Sequence, residues 1–389
     1  MRISVLKEIK PDELRVALRP DQASTLSRDG HEVYVEEGAG LASGFSDQNY
    51  LDCGALVRPK AQVIRAGKLL LKVKAPLEEE YEDYDQDKIL FTYLHLDENI
   101  PAPTIQRFLT SGVMGIAYEW VGGDQHYPLL EPMSRLTGYL FAQKSIELSA
   151  LNKGVFLPAN ERFLPGGNVL VIGAGNIGLS AIKYFADLNV NLTVLTKGGA
   201  EQLSKKLRDR FGDGAPDPDR FRSLVMSVNQ PEQTVQELAA LMPELDILLN
   251  CAVRRPDMPK EKLEFLVCKE MIAKMAPGSI VCDATACDQD LLETCISSPL
   301  LEETSTQMGV VHYNCDHIPA RVPATATKLL TDTTFKYVRS IANKGIVEAL
   351  QEDAYLKNGV VCFQGHITHP YTAEKKGFKY CDLDSLLDT

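Results

Sequence analysis

Residues 168–178 read NVLVIGAGNIG, and no other stretch restricts what this chain can fold into as tightly. An apolar run leads into Gly173-x-Gly175-x-x-Gly178, and a segment of helical character follows. Gly173 permits a tight turn, Gly175 lets the backbone approach a pyrophosphate, and Gly178 lets helix and strand pack closely. The helix N-terminus then offers free N–H groups and a partial positive charge to phosphates. A glycine triplet alone is a weak signal; in a strand–turn–helix context it is the one a dinucleotide requires. Ala174, Asn176 and Ile177 fill the turn and are expected against the same ligand. Such a site points to hydride transfer without naming what receives the hydride.

The rest of the chain repeats this alternation of short apolar runs and helix-like stretches, the pattern of α/β architecture. Strands are expected at 2–6, 32–36, 69–73, 89–93 and 113–118, and a second series at 168–172, 192–196, 222–228, 245–250 and 279–283. Two long segments free of internal proline, 132–152 and 324–351, bracket the second series and read as helices. The expected organisation is two Rossmann-like domains with a cleft between them. Residues 131–304 form a dinucleotide-binding domain, inserted into a discontinuous substrate domain of residues 1–130 and 305–389. The length of 389 residues suits two domains at roughly 150 residues each. The acidic run 78–85 (EEEYEDYD) reads as a solvated helix or loop.

Charge and cysteine content narrow the function classes. The net charge of −12 argues against a nucleic-acid surface. No run of about 18 apolar residues is present, so no membrane span is expected. The opening residues, MRISVLKEIKPDELR, interrupt their apolar stretch with charge and do not read as a signal peptide. Nine cysteines without a CxxC pair fit reduced thiols in a cytoplasmic protein, and give no zinc pattern.

An acidic residue at the end of the second strand of a dinucleotide fold would hydrogen-bond the adenosine ribose. Here LTVLTKGG places Thr196 and Lys197 at that point. Without the carboxylate there is less reason to reject a 2′-phosphate, and Lys197 can pair with one, so NADP is favoured over NAD; NAD bound through other contacts stays open.

Four stretches of the first third stand out: 7–18 (KEIKPDELRVAL), 71–77 (LKVKAPL), 91–96 (FTYLHL) and 117–121 (AYEWV). With GAGNIG at 173–178 and GVVHYNCDHIPARVP at 309–323, they resemble the alanine dehydrogenase family. That family shares its fold with saccharopine-type dehydrogenases and the transhydrogenase α subunit. The resemblance spans residues 1–372. A small 2-oxo acid needs a fixed cation for its carboxylate, and the planar fork of Arg15 suits that role, although a salt bridge with Glu13 is an alternative use for it. Lys74, at a strand end, is the expected partner of the substrate carbonyl or carboxylate; Lys72, on the same strand face, competes on chemistry alone, and the resemblance favours Lys74. His95 closes its strand with a group that titrates near neutrality. The resemblance implies that His95 moves protons during imine chemistry. It also places Tyr93, Glu119, Met133 and Ser134 near the substrate, with Arg135 beside them, packing or support of the contacting residues being an equal alternative for the first four. Cys251, Ala252, Val253, His317 and Ile318 are placed near the cofactor.

Three departures from the family pattern bear on substrate. Where the family has an aspartate followed by Gln-Gly-Gly, residues 279–291 read SIVCDATACDQDL. Asp288 is the matching catalytic carboxylate, with Asp283 and Asp290 as alternatives. Arg254 and Arg255 occupy a stretch that is apolar in alanine dehydrogenases, and Arg135 replaces an acid. Asp316–His317 also substitutes for a neutral pair, for which a structural role is the simpler reading. The expected activity is oxidative deamination of a small L-amino acid and its reverse, with alanine and pyruvate as the default pair. An arginine in the cleft would point instead to an opine- or saccharopine-type NADPH-dependent reductase joining a 2-oxo acid to an amine. A catalytically silent cofactor-binding protein is the alternative of another class. The expected partners are small molecules and further copies of the chain, with neither nucleic acid nor membrane.

Overall fold

The computed structural model describes residues 1–387 apart from 99, 255–256 and 287–289. Six strands come first: β1 (Arg2–Val5), β2 (Glu32–Glu36), β3 (Leu56–Arg58), β4 (Leu69–Leu71), β5 (Ile89–Thr92) and β6 (Met114–Ala117). Seven follow: β7 (Asn168–Ile172), β8 (Asn191–Thr196), β9 (Arg222–Val225), β10 (Ile247–Asn250), β11 (Ile280–Asp283), β12 (Ser305–Gln307) and β13 (Val310–Tyr313). The last two are β14 (Val360–Phe363) and β15 (His366–Ile367). The chain divides into two compact units, one of Met1–Met133 with Ala320–Thr389, the other of Ser134–Pro319.

In the first unit the sheet runs β15-β14-β6-β5-β4-β1-β2-β3, parallel from β3 to β6. β4, β5 and β6 are buried at every position, as strands covered on both faces must be, and so read as continuous apolar runs. Val5 lies level with Leu71, Leu71 with Phe91, and Phe91 with Ile116. The carboxyl ends of β1, β4, β5 and β6 therefore open at one edge of the sheet. Beneath them Leu70, Leu90, Ile105 and Phe108 belong to one apolar cluster.

The second unit has the order β12-β13-β11-β10-β7-β8-β9, all parallel except β12. Without β12 this is the doubly wound arrangement, with β7 at the point where strand order reverses. Residues 305–319, expected in the substrate domain, instead build β12 and β13. Val311 pairs with Ile280 and extends the second sheet, so the return crossing falls near Pro319. The expected helix 324–351 is interrupted. Gly345 adopts φ +83°, ending Pro323–Lys344 and starting Ile346–Glu352. Among the described residues no helix is long and apolar enough to cross a membrane.

Candidate active site and dinucleotide turn

Each chemical residue of the first unit sits just beyond a strand. Lys74 follows β4, His95 follows β5, and Glu119 follows β6. Glu8, Glu13 and Arg15 lie on the irregular segment after β1. Because these four strands are neighbours and level, residues far apart in sequence gather at one edge. Ligands of open α/β sheets bind beyond this carboxyl edge.

Arg15 is 3% exposed and gripped on one side by Glu13, with Nε donating to Oε1 at 2.7 Å and Nη2 to Oε2 at 2.6 Å. The expected pair with Glu13 is thus real, but buried. Burial acts to lower the guanidinium pKa, and the Glu13 carboxylate more than offsets it. The remaining end, Nη1, reaches only the Met133 Sδ, at 3.5 Å, among the described residues. A thioether is a weak acceptor, so a substrate carboxylate would displace it readily.

The two lysines separate clearly. Lys72 is 1% exposed and lies 2.9 Å from Glu80 and 3.4 Å from Glu8. It is fully engaged. The ammonium of Lys74 has no carboxylate partner among the described residues, while its backbone N–H and that of Val73 donate to Glu8 Oε1 at 3.3 and 2.6 Å. The acidic run 78–85 is therefore not simply solvated: Glu80 is 1% exposed and completes the Lys72 pair.

His95 has a positive φ of +49°, a conformation few non-glycine residues adopt. Glu119 stabilises it by accepting the His95 N–H at 2.6 Å and the Leu94 N–H at 3.2 Å. The His95 ring stacks on Tyr93 at 5.6 Å, and Nδ1 lies 2.8 Å from Glu98 Oε1. Burial acts to lower the His95 pKa, but Glu98 and Glu119 outweigh it and hold the imidazole above its ordinary value. Tyr93 supports the ring, but its hydroxyl is committed to the Leu129 carbonyl at 2.8 Å.

In the second unit the glycine turn leaves β7 as the sequence requires. Gly173 has φ +96°, and a Cβ there would lie 2.9 Å from Ala252. A Cβ on Gly178 would fall 2.0 Å from the Gly173 carbonyl oxygen. Gly175 is the opposite case: a Cβ there meets nothing within 4 Å, leaving open space over the start of the helix Asn176–Asp187. That open cradle fits a pyrophosphate. Cys251–Val253 leave β10 beside it, with Ala252 fixed by Asn250: the Ala252 N–H donates to Asn250 Oδ1, and Asn250 Nδ2 donates to the Ala252 carbonyl. Thr196 is 6% exposed at the end of β8, and Lys197 is exposed after it. His317 is 2% exposed, with Nδ1 2.5 Å from Asp316, and Ile318 is buried beside it. Cys315, Asp316 and His317 bring one donor atom each within 4.8 Å of one another.

Family models for "Alanine dehydrogenase/PNT, N-terminal domain" and "Alanine dehydrogenase/PNT, C-terminal domain" match residues 4–137 and 152–370. The chain belongs to the alanine dehydrogenase/PNT family. Alanine dehydrogenase of Bacillus subtilis (strain 168) is 35% identical over 395 residues, covering 100% of this chain and 98% of the relative. That of Methanococcus maripaludis is 32% identical, with 100% of both chains covered. A solved L-alanine dehydrogenase is 30% identical and superposes with a TM-score of 0.81 over 96% of this chain and 99% of that one. A transhydrogenase from Sinorhizobium meliloti shares the fold at 20% identity, with a TM-score of 0.72 over 95% of this chain and 99% of its own.

Against the alanine dehydrogenase/PNT pattern, the departures resolve unequally. Arg254 is consumed internally: Nε donates to Asp290 at 2.8 Å, and the remaining guanidinium nitrogens donate to the Met258, Leu263, Glu264 and Asp290 carbonyls. That removes both Arg254 as a second carboxylate grip and Asp290 as a free catalytic acid. Asp283 is buried, accepts from Asn250 and Thr285, and is pushed up to about 6 by burial. Asp288 and Arg255 lie outside the described residues. Ser134 and Arg135 occupy the first turn of the helix Glu131–Lys153, and Arg135 is exposed. Glu8, Glu98 and Asn250 are supporting residues that sequence reading missed. Glu8 acts on a segment 65 residues away that strand order brings beside it, whereas Glu98 and Asn250 act locally, through a left-handed turn at His95 and a tight turn after β10 that residue type alone does not announce.

Proposed function

We propose that this protein catalyses the reversible, nicotinamide-dinucleotide-dependent oxidative deamination of a small L-amino acid to its 2-oxo acid, with alanine and pyruvate as the pair to test first. The observation carrying this reading is the convergence of Arg15, Lys74 and His95 at one sheet edge, with Glu13 and Glu98 on the side chains of Arg15 and His95 and Glu8 on the backbone of Lys74. The names of the full-length relatives support it.

In this reading Arg15 holds the substrate carboxylate through its Nη1 end, since Glu13 occupies the other edge. Lys74 polarises the carbonyl or secures the carboxylate from the adjacent strand end. His95 moves the proton at Nε2, because Nδ1 is engaged by Glu98. When bound, the nicotinamide ring supplies or accepts the hydride. Gly173, Gly175 and Gly178 would hold the pyrophosphate, and Ala252 and Val253 would border the nicotinamide half. Between the two dinucleotides we favour NADP, because β8 ends on Thr196 and Lys197 with no carboxylate.

The opine-type alternative loses Arg254, which is bound to Asp290 and backbone carbonyls, and Arg135 is exposed. A panel of mono- and dicarboxylic 2-oxo acids, offered with ammonia or with amino acids, separates the readings through absorbance of the reduced cofactor. Pyruvate with ammonia is expected to turn over, and His95→Ala to lower turnover by about 10²–10⁴. Turnover confined to amino-acid amine donors would overturn the proposal.

A further inference from the structure

The helix that follows β8 carries a feature the glycine turn does not need. From Gly199–Phe211, Lys206 reaches back and its Nζ donates to the Ala174 carbonyl at 3.2 Å. Ala174 is the residue between the first two glycines. β7 and β8 are adjacent and level, with Ile172 opposite Leu195 and the Gly173 N–H donating to the Leu195 carbonyl at 2.9 Å. The Lys206 ammonium reaches the glycine turn at Ala174 from a helix that starts three residues after the end of β8.

Two observations at that end point to a ligand. The Thr196 hydroxyl is buried without a hydrogen-bond partner, a costly state unless something completes it. And no carboxylate closes β8, where an NAD-selective site places one to bind the ribose 2′-hydroxyl. Lys206 has no carboxylate partner among the described residues, and one carbonyl uses only one of its three N–H groups.

We infer that Lys206, with Thr196 and Lys197, forms a subsite for the 2′-phosphate of NADP, and that Lys206 determines the dinucleotide preference. This rests on the dehydrogenase reading above and deepens it. Lysine suits the role as a point charge with several donors, and a dianionic phosphate accepts from all three residues at once. The competing explanation is a purely structural staple between helix and turn. It predicts something different, because a loosened turn weakens every dinucleotide alike.

The test is equilibrium binding of NADPH and NADH to the full-length protein by calorimetry, without substrate, alongside 2′-AMP and 5′-AMP. The wild type is expected to bind NADPH and 2′-AMP more tightly than NADH and 5′-AMP. Lys206→Met is expected to weaken NADPH and 2′-AMP by about tenfold to a hundredfold, the scale of one charge-assisted bond, while NADH holds. Lys206→Arg, which keeps the charge, is expected to restore most of the loss. Equal weakening of NADPH and NADH in a folded Lys206→Met variant overturns the specificity role and leaves the staple. Tighter NADH than NADPH binding by the wild type overturns the 2′-phosphate subsite but spares the dehydrogenase reading. Failure of the wild type to bind either dinucleotide overturns both.

Discussion

At the scale of single residues, the candidate site consists of cations whose positions are set by carboxylates. Glu13 orients Arg15, Glu8 fixes the backbone of Lys74, and Glu119 and Glu98 hold the backbone and ring of His95. The last pair has a consequence for pH. Both carboxylates raise the His95 pKa against burial, so the imidazole is a weaker acid than an isolated one. As the base of the proposed oxidative deamination His95 would have to be unprotonated, so activity is expected to fall as pH drops through its pKa. Glu98→Gln removes one of the raising charges, lowers that pKa, and is expected to move the acid limb of the kcat/KM profile to lower pH. Profiles of the two proteins over the same buffers check this, and an unmoved limb would mean that Glu98 does not tune the proton carrier. Arg15, Lys74 and His95 each stood out in the sequence because each sits in a short motif, Lys74 and His95 just past a strand and Arg15 on the segment after β1. Glu98 was not, because its meaning depends on the left-handed turn at His95.

At the scale of elements, most strands were legible from apolar runs bounded by turn residues, since buried parallel strands demand them. Five strands were not read, β3, β12, β13, β14 and β15, and three of them have a plain physical reason. β12 is the polar segment Ser305–Gln307 at a sheet edge, held by pairing with β13 rather than by burial. β14 and β15 are short and antiparallel, and β14 is recruited by the exposed flank of β6. The acidic segment Glu78–Asp83 misled because composition suggested solvent, whereas one carboxylate of the run turns inward to Lys72. Glu80 also accepts the Leu77 N–H, capping its own turn. Removing Glu80 leaves Lys72 with Glu8 alone, at 3.4 Å, and leaves the Leu77 N–H without its acceptor, at a cost of about 1–3 kcal/mol. Glu80→Ala is expected to destabilise the protein on that scale in chemical denaturation, while Glu79→Ala, on the exposed side, stays within about 0.5 kcal/mol. Equal effects would mean that the Lys72 pair adds no more to stability than a surface charge.

At the scale of the molecule, the two units differ in how the chain builds them. Ser134–Pro319 is contiguous and holds a complete seven-stranded sheet, with an apolar cluster running from Leu170 through Leu248 and Val281 to Val310. It also holds its own close approaches: a Cβ on Gly138 would lie 2.0 Å from the Ile177 carbonyl oxygen, so the helix Glu131–Lys153 packs directly on the dinucleotide helix. The other unit is assembled from both ends of the chain. β6, buried at all four positions, has β14 as its outer neighbour, and the helix Pro323–Lys344 supplies the Thr327 hydroxyl that accepts the Val16 N–H at 3.1 Å. A fragment of residues 1–133 would leave the β6 edge and this helix contact open, and an unpaired apolar edge invites aggregation. The contiguous fragment 134–319 is therefore expected to fold alone, melt cooperatively and bind dinucleotide, whereas 1–133 is expected to do neither of the first two. Circular dichroism melts of both fragments, with cofactor titration of the larger, decide it. A cooperative melt for 1–133, or none for 134–319, would mean that the cores do not follow the division of the chain described here.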